Sequence, residues 1–253
     1  MRLDGHHALV TGGGTGVGRA IALALAAQGA QVTISGRREE PLRETAREGQ
    51  GAVGWVTGDV TQAADMARVV AQAAQDRGPV TLAIANAGAA ESKPFGKTTP
   101  EDLDAMLAVN LHGVFNLWQA VLPGMRDMGR GRLIAIASTA GLKGYGYVSA
   151  YVAAKHAVVG LTRSLALELA KTPITVNAIC PGFAETPMLE ESIDNIVAKT
   201  GRSREEAAKA LASGNPQGRF VQPAEVADAV LWLSGDGASA VTGQAISVSG
   251  GET

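Results

Sequence analysis

His7-Ala8-Leu9-Val10-Thr11-Gly12-Gly13-Gly14-Thr15-Gly16-Val17-Gly18 decides the fold, because a short apolar run enters a glycine-rich turn and an Ala- and Leu-rich stretch, Arg19 to Gln28, follows at once. The apolar run reads as a buried strand and the alanine-rich stretch as a helix. Glycines between them let the backbone turn tightly and approach a pyrophosphate, whose charge suits the unsatisfied N–H groups and positive dipole end of a helix. The glycines stand as Gly12-x-x-x-Gly16-x-Gly18, which differs from the two-then-three spacing of the common dinucleotide fingerprint. A glycine turn alone is a weak signal, so the rest of the chain has to carry the reading.

Strand and helix signals alternate from end to end. The strands are predicted at Ala8 to Thr11, Gln31 to Ser35, Gly54 to Thr57, Leu82 to Asn86, Leu133 to Ala137, Thr175 to Ile179 and Ala245 to Val248. Such alternation predicts an α/β fold, a Rossmann-type doubly wound sheet of seven parallel strands with helices on both faces. Helix starts are marked between them: Thr99-Pro100-Glu101-Asp102 offers an N-cap, a first-turn proline and acids at the positive end, and Ser203 to Glu206 forms a capping box. With no repeat or linker in 253 residues, one domain is expected over 1–253.

Tyr151 and Lys155 lie four residues apart on a predicted helix, and Ser138 stands thirteen positions before Tyr151 at the end of an apolar strand. The spacing puts phenol and ammonium on one face, where the cation is expected to lower the tyrosine pKa and let it move protons near neutral pH. A packed ring beside a solvated amine is the plainer alternative. Because ligands of open parallel sheets bind beyond the carboxyl ends of the strands, Gly12, Asp59, Asn86, Ser138 and Pro181, each following a strand, are expected to converge.

The glycine turn, Asp59-Val60, Asn86-Ala87-Gly88, Asn110, Ser138 and Tyr151-x-x-x-Lys155 together resemble the short-chain dehydrogenase/reductase family, in its order and spacing over essentially the whole chain. The resemblance implies an NAD(P)-dependent oxidoreductase that interconverts a secondary alcohol and a ketone. It makes Thr11, Gly12, Gly14, Thr15, Gly16, Val17 and Gly18 the cofactor turn, Asp59 and Val60 the adenine contact, and Asn86, Ala87 and Gly88 the turn after the fourth strand. Asn110, Ser138, Tyr151 and Lys155 become the catalytic set, with Lys155 also holding the nicotinamide ribose, Asn110 positioning a water, and Pro181, Gly182 and Thr186 lying at the nicotinamide end. One departure is Ala85, where the family often has a second Asn.

Cofactor choice turns on Ser35-Gly36-Arg37-Arg38, where Gly36 takes the place of the acid that often binds the ribose hydroxyls of NAD. Arg37 and Arg38 favour NADP by offering charge-assisted bonds to a 2′-phosphate. NAD is the alternative, with one arginine stacked on adenine and Thr15 standing where many NADP-dependent relatives carry a second base.

The segment from about Phe183 to Arg219 is expected to cap the substrate. Its apolar residues Phe183, Met188, Leu189, Ile193, Ile196 and Val197 either line a pocket or form the core stripe of a short helix. Ala140, Tyr145 and Tyr147 are further substrate contacts beside Ser138 and Tyr151, with loop packing as the alternative for the two tyrosines. Similarity to 3-oxoacyl and polyketide ketoreductases and to 3-hydroxyacyl-CoA dehydrogenases suggests a 3-hydroxyacyl/3-oxoacyl thioester. Alternatives are a cyclic or aromatic secondary alcohol, or a silent nucleotide-binding regulator.

A net charge of −2 with mixed signs gives no footprint for nucleic acid or an anionic membrane. The N-terminus lacks a signal-peptide pattern, and no run is expected to reach the roughly 20 apolar residues that cross a bilayer. The single Cys180 reads as a buried strand thiol, so a cytoplasmic setting is expected. The four histidines show no ligand spacing, so no catalytic metal is expected. Apolar residues around much of the helix from Tyr151 suggest self-association, which Trp118 and Leu122 on the preceding helix could join although core packing is the default for both, and the family resemblance makes it a homotetramer.

Overall fold

The computed structural model describes residues 2–253. Its centre is one parallel sheet of β1 (His7–Thr11), β2 (Gln31–Gly36), β3 (Val53–Thr57), β4 (Leu82–Ala85), β5 (Gly131–Ile136), β6 (Ile174–Pro181) and β7 (Ala245–Val248). The spatial order is β3-β2-β1-β4-β5-β6-β7, so the chain reverses its direction of travel between β1 and β4. A crevice opens at such a reversal, beyond the carboxyl ends of the strands. All seven predicted strands are present, with ends differing by one or two residues.

Successive strand residues face opposite sides and feed two separate cores. Leu9, Ala83, Leu133 and Val176 point to one, shared with Met66 and Val69 of α3 (Ala63–Arg77), Leu117 and Met125 of α5 (Gly113–Met128) and Val158 of α6 (Ser149–Glu168). Val10, Ile84, Ile134 and Ile179 point to the other, shared with Ile21 and Leu25 of α1 (Gly16–Ala27), Leu42 of α2 (Glu39–Glu48) and Val230 of α9 (Pro223–Ser234). Burial on both faces explains why these strands read as continuous apolar runs rather than alternating ones.

The helix after β1 begins at Gly16, three residues before the sequence suggests, because the glycine turn itself supplies the first helical turn. Thr99 and Ser203 cap α4 (Pro100–Leu107) and α8 (Arg204–Ala212) through complete capping boxes, with Asp102 and Glu206 as the returning acids. The segment 183–219 forms α7 (Pro187–Thr200) and α8. Leu189 and Ile193 pack with Ala207 into a third cluster, with Phe183, Ile196 and Val197 at its edge. The helix-stripe reading therefore holds for Leu189 and Ile193, while Met188 is exposed.

The helices α5 and α6 divide their apolar residues between the core and the surface. Pro100–Met128 runs as one helix and is long and apolar enough, by length and composition, to match a membrane span. Leu117, Val121 and Met125 of this helix are packed in the core against the sheet, and polar residues such as Asn110 and Asn116 interrupt its apolar stretch, in line with the expected absence of a run of about 20 apolar residues. Trp118 takes its default core position, being 2% exposed within the same core, whereas Phe115 and Leu167 are the large apolar groups that α5 and α6 leave exposed.

Candidate active site

The glycine turn is shaped by two close approaches. Gly12 adopts φ +67°, a conformation L side chains rarely take, and a Cβ on Gly18 would fall 2.3 Å from the Gly12 carbonyl oxygen. Thr15 caps α1 without a side-chain hydrogen bond and no acid occupies the first turn, which leaves the helix N-terminus electropositive. A diphosphate fits this cradle. Thr186, which caps α7, lies over the turn, its Cγ2 3.1 Å from where a Gly16 Cβ would be. Gly14 packs on Pro41 of α2, so its smallness serves the helix contact.

The turn after β4 is tied to the glycine turn. Asn86 Nδ2 donates to the Thr11 carbonyl at 3.0 Å and to the Gly12 carbonyl at 3.3 Å, while Thr11 Oγ1 accepts from the backbone N–H groups of Asn86 and Ala87 at 3.1 and 3.2 Å. Thr11 and Asn86 thus hold two loops together with their polar atoms. Ala85, the departure from the family pattern, ends β4 as a buried apolar residue paired with Ala135. Asp59 Oδ1 accepts from Thr61 N and Thr61 Oγ1, both at 2.9 Å, and the Val60 carbonyl accepts from Asn116. Both residues shape the turn after β3. Arg37 and Arg38 extend past the end of β2, exposed and, among the described residues, in no ion pair.

Ser138 follows β5, with its hydroxyl oxygen accepting from Ala140 N at 3.0 Å. Tyr151 and Lys155 sit on the first two turns of α6. Lys155 is 4% exposed, with Nζ donating to the Ile136 carbonyl at 2.9 Å and lying 5.6 Å from the Tyr151 ring centroid. Asn110 is fully buried in a π-helical turn, Ala108–His112, between α4 and α5. Its Nδ2 donates to the Ala89 and Met106 carbonyls at 2.9 and 3.0 Å. Both Asn110 Oδ1 and Lys155 Nζ border Gly88, at 2.9 and 3.6 Å from the position of a Cβ there. The four residues meet although they come from three separate parts of the fold, the end of β5, the π-helical turn and α6.

The electrostatics differ from the expectation that Lys155 lowers the Tyr151 pKa. Burial is the largest influence and pushes the Tyr151 phenol up, with the hydroxyl of Ser138 opposing the rise. Burial also pushes the Lys155 ammonium down from 10.5 to about 8. The ammonium is aimed at the Ile136 carbonyl, and desolvation penalises both charged forms more than the two groups relieve each other. Cys180 is buried as predicted, on β6 beside Lys155, its thiol pushed up to about 11.

Tyr145 turns inward and Tyr147 outward. Tyr145 meets Phe183 edge to face at 6.3 Å, whereas Tyr147 is 70% exposed. The Tyr145 hydroxyl is 2.6 Å from Thr139 Oγ1 and donates to Glu252 Oε1 at 2.6 Å. Thr139, Lys143 and Glu252 escape a reading of the sequence, since Glu252 lies 107 positions from Tyr145 and follows no motif. Pro181 ends β6, and Gly182 donates to the Val248 carbonyl, so both lie at the carboxyl edge of the sheet.

Known proteins resemble this chain in sequence and fold. The family model described as short chain dehydrogenase matches residues 6–196. A D-beta-hydroxybutyrate dehydrogenase of Cupriavidus necator is 39% identical over 98% of each chain. A 3-oxoacyl-(acyl-carrier-protein) reductase of Thermotoga maritima is 37% identical over 99% of each. A variant of actinorhodin polyketide ketoreductase, solved with NADPH, superposes with a TM-score of 0.95 at 40% identity, covering 100% of this chain and 99% of that one. Fold, motif order and these full-length likenesses agree, and the chain belongs to the short chain dehydrogenase family.

Proposed function

We propose that this chain reduces a ketone to a secondary alcohol with NADPH, and runs the reverse reaction with NADP, on a 3-oxoacyl/3-hydroxyacyl thioester. The meeting of Ser138, Tyr151, Lys155 and Asn110 at the carboxyl edge of β5 carries the reading. A reduced nicotinamide supplies the hydride when bound. The glycine turn from Thr11 to Gly18 would hold the pyrophosphate, Asp59 and Val60 would border the adenine, and Arg37 and Arg38 would meet the 2′-phosphate. Ala87 and Gly88, with Pro181, Gly182 and Thr186, would bound the nicotinamide end.

Tyr151 donates its proton to the carbonyl oxygen, and the Ser138 hydroxyl hydrogen-bonds the same oxygen as charge develops on it. A phenol held protonated by burial suits this donor role near neutral pH. Lys155 supplies a nearby cation below about pH 8. Asn110 Oδ1 receives only a long bond, 3.4 Å from Ala89 N, and so keeps acceptor capacity for a water that replenishes the proton. Ala140, Tyr145 and Phe183 form the substrate wall, and segment 183–219 caps it. The exposed Met188 and Tyr147 stand at its rim.

The Cupriavidus, Thermotoga and actinorhodin proteins are named for hydroxybutyrate, 3-oxoacyl and polyketide substrates, which supports a β-keto compound here. Loss of NADPH absorbance with acetoacetyl-CoA tests the substrate, with NADH and a simple cyclic ketone run in parallel. Turnover of the cyclic ketone alone would replace the thioester with a cyclic or aromatic alcohol. Tyr151→Phe is expected to lower kcat by roughly 10²–10⁴-fold while NADPH still binds; an active variant refutes the assignment. The exposed Phe115 and Leu167 support a homotetramer built through α5 and α6, and the single, buried Cys180 fits a cytoplasmic setting. A monomer in sedimentation at micromolar concentration would overturn the tetramer.

A further inference from the structure

We infer that Glu252 is a positioning residue for the substrate wall, acting through Tyr145 to set how tightly the ketone is held; this rests on the reductase reading above. The Glu252 side chain is 2% exposed, an unusual place for a carboxylate, and its partners are specific. Oε1 accepts from the Tyr145 hydroxyl at 2.6 Å and lies 3.1 Å from Lys143 Nζ. The Lys143 ammonium is also 5.1 Å from the Tyr145 ring centroid, so one cation stabilises the carboxylate and the ring face together. Two glycines keep the space open: a Cβ on Gly182 would stand 3.1 Å from Oε2, and one on Gly214 would stand 3.0 Å from Oε1.

The linkage reaches the chemistry in two steps. With its proton given to Glu252, the Tyr145 oxygen is left to accept from Thr139 Oγ1, and Thr139 directly follows Ser138. The ring meanwhile abuts Phe183 at 83°, so its orientation fixes the second wall residue too. A tyrosine with only the Thr139 contact could rotate away from Phe183. The carboxylate removes that freedom by a charge-assisted bond, among the stronger kinds of hydrogen bond. Glu252 touches no reacting atom in this arrangement. Its effect is therefore expected in substrate affinity rather than in the rate of the chemical step.

The test compares wild type, Glu252→Ala, Glu252→Gln, Tyr145→Phe and the double variant Glu252→Ala/Tyr145→Phe. Steady-state reduction of acetoacetyl-CoA and of a cyclic ketone is read beside amide hydrogen exchange in residues 139–147. Loss of a hydrogen bond to a charged group predicts a KM about tenfold higher for Glu252→Ala, with kcat within about twofold. Glu252→Gln keeps an acceptor and should recover most of the affinity. The double variant should resemble Tyr145→Phe alone, because both substitutions cut one link. Exchange in 139–147 should quicken in Glu252→Ala and not in Glu252→Gln.

Additive effects on KM, or an unchanged KM with quickened exchange, overturn the role in substrate positioning. Unchanged exchange in Glu252→Ala overturns the linkage itself. If Glu252→Ala fails to fold, Tyr145→Phe and Glu252→Gln still decide, since the first must raise KM and the second must not. A wild type inactive on both ketones sinks the reductase reading and the substrate role with it, while the exchange arm still tests the linkage.

Discussion

Replacing Lys155 with Met is expected to abolish turnover and yet stabilise the fold at neutral pH. The ammonium is 4% exposed, and burial brings its pKa from 10.5 to about 8, a gap worth roughly 3 kcal/mol against the charged form. Methionine carries no charge and fills similar length, so that cost disappears. Against it stands the lost bond to the Ile136 carbonyl, about 1–2 kcal/mol. The net gain is then about 1–2 kcal/mol, or a rise in Tm of roughly 2–6 °C for a chain of this size.

The sign of the pH dependence follows from proton counting. Below about pH 8 both folded and unfolded states hold the proton, and the full cost is present. Between about 8 and 10.5 the unfolded chain binds more protons than the folded one, so wild-type stability rises with pH and the cost is relieved. The variant lacks this rise. Its advantage should shrink through that window and turn into a deficit of about 1 kcal/mol near its upper end, as only the lost bond remains. Urea unfolding of both proteins at several pH values between 7 and 10.5 reads the difference, and groups independent of Lys155 cancel in it. A difference that does not change with pH, or a variant less stable at pH 7, would refute the reasoning.

Two further expectations concern the cofactor. Arg37→Ser and Arg38→Ser should each raise the NADPH Kd roughly threefold to tenfold, modest because both side chains are in water, and leave the NADH Kd within about twofold; equal weakening of both nucleotides, read by fluorescence titration, would point to adenine stacking instead. Asn86→Ala removes two bonds that join the β4 turn to the glycine turn, and should cost about 2 kcal/mol of stability and weaken both nucleotides alike, an intact Kd marking the linkage as dispensable.

The sheet was legible because its strands are buried on both faces, and continuous apolar runs between helix signals admit few other arrangements. The caps at Thr99 and Ser203 were equally legible, since a capping box is closed by residues three positions apart. Motifs of that local kind also singled out Ser138, Tyr151 and Lys155, which the fold brings close together. What stayed hidden depends on distance in sequence. Nothing near Tyr145 announces Glu252, and nothing near Trp118 distinguishes a core-facing ring from one that could meet another copy. The helix Pro100–Met128 matches a span by overall length and composition, yet polar residues such as Asn110 and Asn116 break its apolar run, which is why the sequence predicts no span there.

The Tyr151 pair is the instructive miss. Helical spacing correctly put the phenol and the ammonium on one face, and from that proximity a lowered tyrosine pKa followed only if the cation's attraction outweighs burial. The fold decides otherwise, because Lys155 is turned to the Ile136 carbonyl and is itself depressed to about 8. Attraction between two charges counts only to the extent that both exist, and desolvation here penalises each. A raised pKa keeps the tyrosine protonated at neutral pH and leaves its phenolate scarce. In the protein alone the phenol, the form that can protonate a carbonyl oxygen, is therefore the form present at neutral pH.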